Sequence, residues 1–337
     1  MAPTLLFILM QLCILILNPF QGTYAQKFPA ILIFGDSILD TGNNNYINTV
    51  VKANFPPYGI DFPGNVATGR FSNGKLVSDF LAEMMEIKDT VPPFLNPNLS
   101  AEDLRTGVCF ASAGSGFDEL TTAESGVIPV LKQPEYLRSY IQKLKTVVGE
   151  EEARRIIHGS LVVLNAGTND ILISFYGNPT RGFSFSLNGY YDFLLTKLQT
   201  FVQELYELGC RKMVIAGLPP MSVPNQAADS QPYNQKLVSL LPRLQASLPG
   251  SKLVYGNIYD PLIDMVANPL KYGFVDVMRS CCGYGLRGTG PLCTPNTPVC
   301  PNPSQFMFWD IIHPTEAAYR PLAEAIKNII ETQIIGY

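Results

Sequence analysis

The chain has 337 residues, 47% hydrophobic and only 15% charged, against about 25% charged in an average soluble domain, which excludes a disordered polypeptide and calls for a sizeable core. Its formal net charge is −4, and no run of Lys or Arg is long enough to track phosphates, so nucleic acid is not an expected partner. Gly and Pro number 27 each, below low-complexity usage, and mark turns between many short elements.

From the amino terminus, Leu5 to Leu17 is an apolar run broken only by Gln11, and residues 1–25 carry no charged side chain. A comfortable transmembrane helix needs about 20 residues, so the run is short for one. With Thr23 and Ala25 as small residues it reads as a secretory leader cleaved after Ala25, leaving a secreted chain from Gln26 with no stable membrane insertion. An uncleaved anchor is the rival reading. Pro29 to Phe34 then reads as a strand buried on both faces, followed by the turn Gly35-Asp36-Ser37. Lys75 to Ile87 is an amphipathic helix with Leu76, Phe80, Leu81 and Met84 on one face. Asn98-Leu99-Ser100 is an N-glycosylation sequon, whereas Asn178-Pro179-Thr180 is blocked by its proline. Gly107 to Ala111 is a further strand candidate, followed by Ala113-Gly114-Ser115-Gly116. His158 falls at a helix end, where its expected role is to interact with the helix dipole.

Leu161 to Asn165, Lys212 to Ala216 and Leu253 to Tyr255 are three more buried strands, and Tyr190 to Leu208 is a long amphipathic helix between them. Cys281, Cys282, Cys293 and Cys300 crowd into one Gly/Pro-rich stretch and read as two disulfides, for which three connectivities exist. Adjacent cysteines without nearby paired histidines fit zinc spacing poorly. Cys109 and Cys210, in apolar surroundings, read as buried free thiols. A closing helix runs from Thr315 to about Ile335, and Pro321 is expected to kink it or delay its start. Strand and helix alternation implies an α/β fold, one mostly parallel sheet covered by helices on both faces. Nothing divides residues 26–337 into more than one domain.

The chain has two histidines. His313 has a carboxylate three residues upstream, so Asp310 can hold one ring nitrogen and leave the other free to take a hydroxyl proton. Ser37, at a strand-to-helix turn, exposes its hydroxyl at the carboxyl edge of the sheet, where open α/β sheets bind ligands. Gly167-Thr168-Asn169-Asp170 follows another inner strand and brings an amide to the same edge. The glycines after Gly107–Ala111 let a backbone N–H approach a substrate closely. An amide and a backbone N–H are what a developing oxyanion needs. No metal or organic cofactor is implied.

Taken together, Phe34-Gly35-Asp36-Ser37-Ile38-Leu39-Asp40-Thr41-Gly42-Asn43-Asn44, Thr68-Gly69-Arg70-Phe71-Ser72-Asn73-Gly74, Phe110-Ala111-Ser112-Ala113-Gly114-Ser115-Gly116, Gly167-Thr168-Asn169-Asp170, Gly217-Leu218-Pro219-Pro220 and Trp309-Asp310-Ile311-Ile312-His313-Pro314-Thr315 resemble, in order, the plant-type GDSL esterase/lipases of the SGNH hydrolase superfamily. The resemblance covers essentially the whole mature chain. It implies a three-layer, flavodoxin-like α/β/α sandwich with a mostly parallel five-stranded sheet, and ester hydrolysis through an acyl-enzyme in the apoplast or cell wall. Ser37 would be the nucleophile, His313 the base and then acid, and Asp310 the orienting carboxylate. The Ser37 N–H, the Gly114 N–H (in preference to Gly116) and the Asn169 side chain would form the oxyanion hole. Asp40 and Arg70 would brace the site. The substrate would be a small-molecule, lipid or polysaccharide ester; acyl transfer to an alcohol, or non-catalytic lipid or glycan binding, are the alternatives. The chain departs from the family at Met221-Ser222-Val223-Pro224, where Gly-Cys and a proline are usual, and the stretch from Asn225 to Tyr233 is short and lacks its cysteine. Cys109 stands where Asn or Ser is usual.

Overall fold

The computed structural model describes residues 27–123, 125–220, 228–283, 285–286 and 293–336. The expected leader at residues 1–25 lies outside them, as do Met221 to Pro224 and the start of the shortened stretch at Asn225. The apolar runs form β1 (Ile31–Gly35), β2 (Leu161–Asn165), β3 (Lys212–Ala216) and β4 (Lys252–Gly256), paired in parallel in that order. Every residue of β1 and β2 is buried, as a parallel strand covered on both faces requires.

Side chains alternate cleanly between two cores. Leu32, Phe34, Val162, Leu164, Met213 and Ile215 face α2 (Gln133–Val148), α3 (Glu150–Gly159), α4 (Leu187–Glu207) and α5 (Ser230–Ser247). Ile31, Ile33, Val163, Val214 and Val254 face α1 (Val77–Met84), α6 (Tyr259–Ala267) and α7 (Glu316–Ile329). The result is the expected three-layer α/β/α sandwich.

Among the described residues the regular ladder has four strands, not five. Gly107 to Ala111 does lie along β1: Phe110 N–H donates to the Ile33 carbonyl at 2.7 Å and Ile33 N–H to that of Val108 at 3.2 Å. Only Cys109 pairs as a bridge, and its other neighbour is Pro93, which has no N–H with which to carry the ladder further. From β1 the chain crosses one face through α1 to reach this edge, then the other face through α2 and α3 to reach β2. The strand order therefore turns at β1, and its carboxyl end opens between two diverging connections, the place where α/β sheets take ligands.

Two short parallel strands, β5 (Asp276–Ser280) and β6 (Phe306–Phe308), were not expected from the sequence. They carry too few alternating apolar residues to give a periodic signal. Between them the cysteines pair as Cys281–Cys300 and Cys282–Cys293, which resolves the three connectivities. Cys109 and Cys210 are buried and free. His158 is exposed in the last turn of α3. Helix α7 starts at Glu316, capped by Thr315, without the delay anticipated from Pro321. Pro321 removes one helical hydrogen bond, and the burial of Tyr319, Leu322 and Ile326 outweighs it. Among the described residues no helix is long and apolar enough to cross a membrane.

One buried ion pair ties the long β1–α1 connection to the core. Arg70 forks onto Asp79, Nε to Oδ2 at 2.8 Å and Nη2 to Oδ1 at 2.6 Å, and its remaining donors reach Thr41 O, Thr68 Oγ1 and Val91 O. Removing one partner strands the other charge in a dry site. Arg70→Ala is expected to lower unfolding free energy by about 3–5 kcal/mol in urea titration with the disulfides intact. A loss below about 1 kcal/mol, the range of a surface pair, would contradict this.

Candidate active site

The turn after β1 depends on a missing Cβ. Gly35 has φ +134°, and a Cβ there would lie 1.9 Å from the Asn165 carbonyl oxygen of β2, so only glycine lets the two strand ends approach this closely. Gln133 of α2 fixes the turn from behind: its Oε1 accepts from Gly35 N–H and its Nε2 donates to Gly35 O, both at 2.8 Å. Asp36 N–H donates to Asn165 O at 3.1 Å. Ser37 then sits where the chain turns away from the sheet. Burial pushes the Asp36 carboxyl up to about 7, against the Ile38 N–H and His313, which lower it.

His313 and Asp310 arrive from a short loop whose ends are pinned, Trp309 N–H donating to His313 O at 2.8 Å. His313 Nε2 lies 2.8 Å from Ser37 Oγ. Its Nδ1 lies 2.8 Å and 2.9 Å from the two Asp310 oxygens. Ser37, Asp310 and His313 are 9%, 0% and 4% exposed. Burial acts to raise the Asp310 carboxyl. The neighbouring imidazole and the N–H groups of His313 and Ile312, at 2.7 Å and 2.9 Å, outweigh it and hold the group below the usual carboxylate range. A carboxylate that stays ionised keeps the proton on Nδ1 and leaves Nε2 free to accept one from Ser37.

Tyr58 Oη also donates to Asp310 Oδ2, at 2.9 Å, and Phe71 packs on the imidazole with ring centroids 4.9 Å apart. Neither role was anticipated. Phe71 lies in the Thr68–Gly74 motif, which gives no clue to its partner. Tyr58 sits in an irregular Pro-Pro-Tyr-Gly stretch without periodicity. Ser72 and Asn73 of the same motif hold the loop after His313, Ser72 Oγ donating to Pro314 O at 3.3 Å and Asn73 Oδ1 accepting from Glu316 N–H at 2.8 Å.

The expected anion-binding residues come from three segments. Asp40 Oδ2 accepts from Ala113 N–H, and its Oδ1 from the N–H groups of Gly42 and Asn43. Asn43 and Asn44 donate to the carbonyls of Ala111 and Ala113, so the Ser37 block grips the Gly114 loop at several points. Asp40 thus ties the Ser37 turn to the Gly114 loop, while Arg70 holds the β1–α1 connection through Asp79 and Thr41 O. Asn169 Nδ2 donates to Ser115 O at 2.9 Å and has a second hydrogen to give. Asp170 clamps the far side of that loop, accepting from Phe117 and Asp118 N–H and from Thr121 Oγ1. A Cβ on Gly116 would sit 2.3 Å from Asp170 Oδ1, so Gly116 serves this close packing while Gly114 stays half-buried. Among the described residues neither the Ser37 nor the Gly114 N–H has a protein acceptor.

The sequence profile of the GDSL-like lipase/acylhydrolase family matches residues 31–326. Two Arabidopsis thaliana proteins named GDSL esterase/lipase are each 50% identical over 336 residues, spanning 94% of this chain and 93% and 92% of their own. A third of that name, also from Arabidopsis thaliana, is 50% identical over 312 residues, 87% of each chain.

The Tyr58 contact gives a test of the buried carboxylate. Tyr58→Phe leaves a nearly isosteric ring and removes one hydrogen bond to a charged group, so kcat for ester hydrolysis is expected to fall about tenfold, roughly 1.4 kcal/mol, at little cost in thermal stability. A kcat within twofold of the parent would show that Asp310 does not need it.

Proposed function

The chain belongs to the GDSL-like lipase/acylhydrolase family and is a hydrolase of carboxylic ester bonds; on that premise we propose that it works through an acyl-enzyme on Ser37. His313 Nε2 takes the Ser37 proton as Oγ bonds to the ester carbonyl carbon. The carbonyl π-electrons move to oxygen, and that oxyanion is held by the Ser37 and Gly114 N–H groups and the Asn169 amide. The imidazolium, steadied by Asp310, returns the proton to the departing alkoxide, which leaves as the alcohol. A water then repeats the sequence: His313 takes its proton, the hydroxyl attacks the acyl carbon, and the proton goes back to Ser37 Oγ as the carboxylic acid leaves.

The observation that carries this reading is the continuous hydrogen-bonded line from Ser37 Oγ through His313 to Asp310, 2.8 Å at each step. Secretion is part of the same proposal. The leader at residues 1–25, the paired cysteines and the exposed sequon residue Asn98 all suit an oxidising, extracellular setting.

Hydrolysis of p-nitrophenyl acetate by the purified chain from Gln26 onward tests it. Ser37→Ala is expected to lower kcat by about four orders of magnitude or more with folding intact. Turnover that survives this change would end the serine mechanism.

A further inference from the structure

Gly114 lies in a turn closed by Ser115 N–H on Ser112 O at 3.2 Å. Its φ is +82°, as the third position of a type II turn requires. Its N–H belongs to the peptide bond with Ala113, and Asn44 Nδ2 holds the carbonyl of that bond at 3.0 Å. In a trans peptide the N–H points the opposite way, so its direction is set as well. Ser115, the next residue, is fully buried and joins this turn to both of its neighbours. Its hydroxyl donates to Gly35 O at 3.0 Å, in the turn that presents Ser37. Its carbonyl accepts from Asn169 Nδ2 at 2.9 Å. An amide carries its two hydrogens in one plane, so holding one aims the other.

Resting on the acyl-enzyme reading above, we propose that Ser115 is a positioning residue of the oxyanion hole: its hydroxyl latches the Gly114 turn to the Ser37 turn, and its carbonyl aims the Asn169 amide. Ser115 acts through these groups and meets no reacting atom. The fold does not lean on the latch. Gly35 O also accepts from Gln133 Nε2 at 2.8 Å and from Ser112 N–H at 3.0 Å, so a Ser115→Ala change leaves no buried acceptor unpaired. The backbone carbonyl that holds Asn169 stays in the chain, but the turn that carries it is free to drift. Donors aimed at a developing charge lose their effect when they drift, whereas the binding of an uncharged ester is little altered.

The test is a double-mutant cycle on p-nitrophenyl acetate hydrolysis with Ser115→Ala, Asn169→Ala and the double variant, and Ser37→Ala as the blank. Removing a whole oxyanion donor costs about 100-fold or more in kcat, so misaligning donors in Ser115→Ala is expected to cost about tenfold, with KM moved by less than about twofold. The loss in the double variant should fall short of the product of the single losses by at least about threefold, because the two residues act on one group. Trifluoroacetone gives a second readout. Ser37 Oγ adds to its carbonyl carbon, His313 takes the proton, and the oxyanion stays in the hole with no group to leave; its Ki should rise about tenfold in Ser115→Ala. A kcat and a Ki both within about twofold of the parent, or single losses that simply multiply, would overturn the assignment even if the melting temperature fell, since Ser115 would then be structural only. In those outcomes Ser37-dependent turnover leaves the serine mechanism standing. Turnover that survives Ser37→Ala ends the mechanism, and the role of Ser115 with it.

Discussion

Asp310 has no access to water, and its charge is tolerated because donors converge on both oxygens: the N–H groups of Ile312 and His313, the Tyr58 hydroxyl and the His313 ring. Burying a carboxylate costs several kcal/mol unless it is paired and hydrogen-bonded, so each of these partners must be kept in place by something else. Phe71 and Tyr58 are packed by the aromatic cluster with Trp309. The loop backbone is held by the disulfide-stapled segment, Cys281 and Cys282 N–H donating to the carbonyls of Phe308 and Trp309. Much of the irregular structure on this side of the sheet follows from keeping one buried charge satisfied.

The same logic links separate sequence motifs of the chain to one another in space. Asp40, Asn43 and Asn44, just after Ser37, spend their side chains on the backbone of residues 111–113. Asp170, just after Asn169, spends its carboxylate on residues 117–121. The loop between, with its half-buried Gly114, is therefore clamped from both neighbouring strand ends. Preorganised donors of this kind need no rearrangement as charge develops on a substrate, which is where most electrostatic rate enhancement originates. On the proposed mechanism, stability and chemistry draw on the same hydrogen bonds.

Much of this was legible from residues alone. Buried β-branched runs such as Leu161–Asn165 and Lys212–Ala216 have the observed bounds, because a strand buried on both faces is apolar throughout. Ser37, His313 and Asp310 were found as residue types suited to one reaction, and the turn at β1 puts them at one edge. The fifth strand was over-read as regular because neither periodicity nor composition reveals that its far neighbour is a proline. The roles of Tyr58 and Asp170 depend on contacts far apart in sequence, 252 residues for Tyr58 and Asp310; the disulfides span only 19 and 11 residues, but four crowded cysteines leave their pairing open until the loop folds.

The central claim is that the field of Asp310 and His313 makes Ser37 the one activated hydroxyl among many serines. Labelling the folded protein with a fluorophosphonate, followed by peptide mass spectrometry, tests this most directly, since the reagent needs an activated nucleophile and no particular acyl group. The account expects one adduct, on Ser37, formed in the parent and lost in His313→Gln while Asn169→Ala retains it at a reduced rate. An adduct on another serine, or labelling of Ser37 that is indifferent to His313, would contradict it.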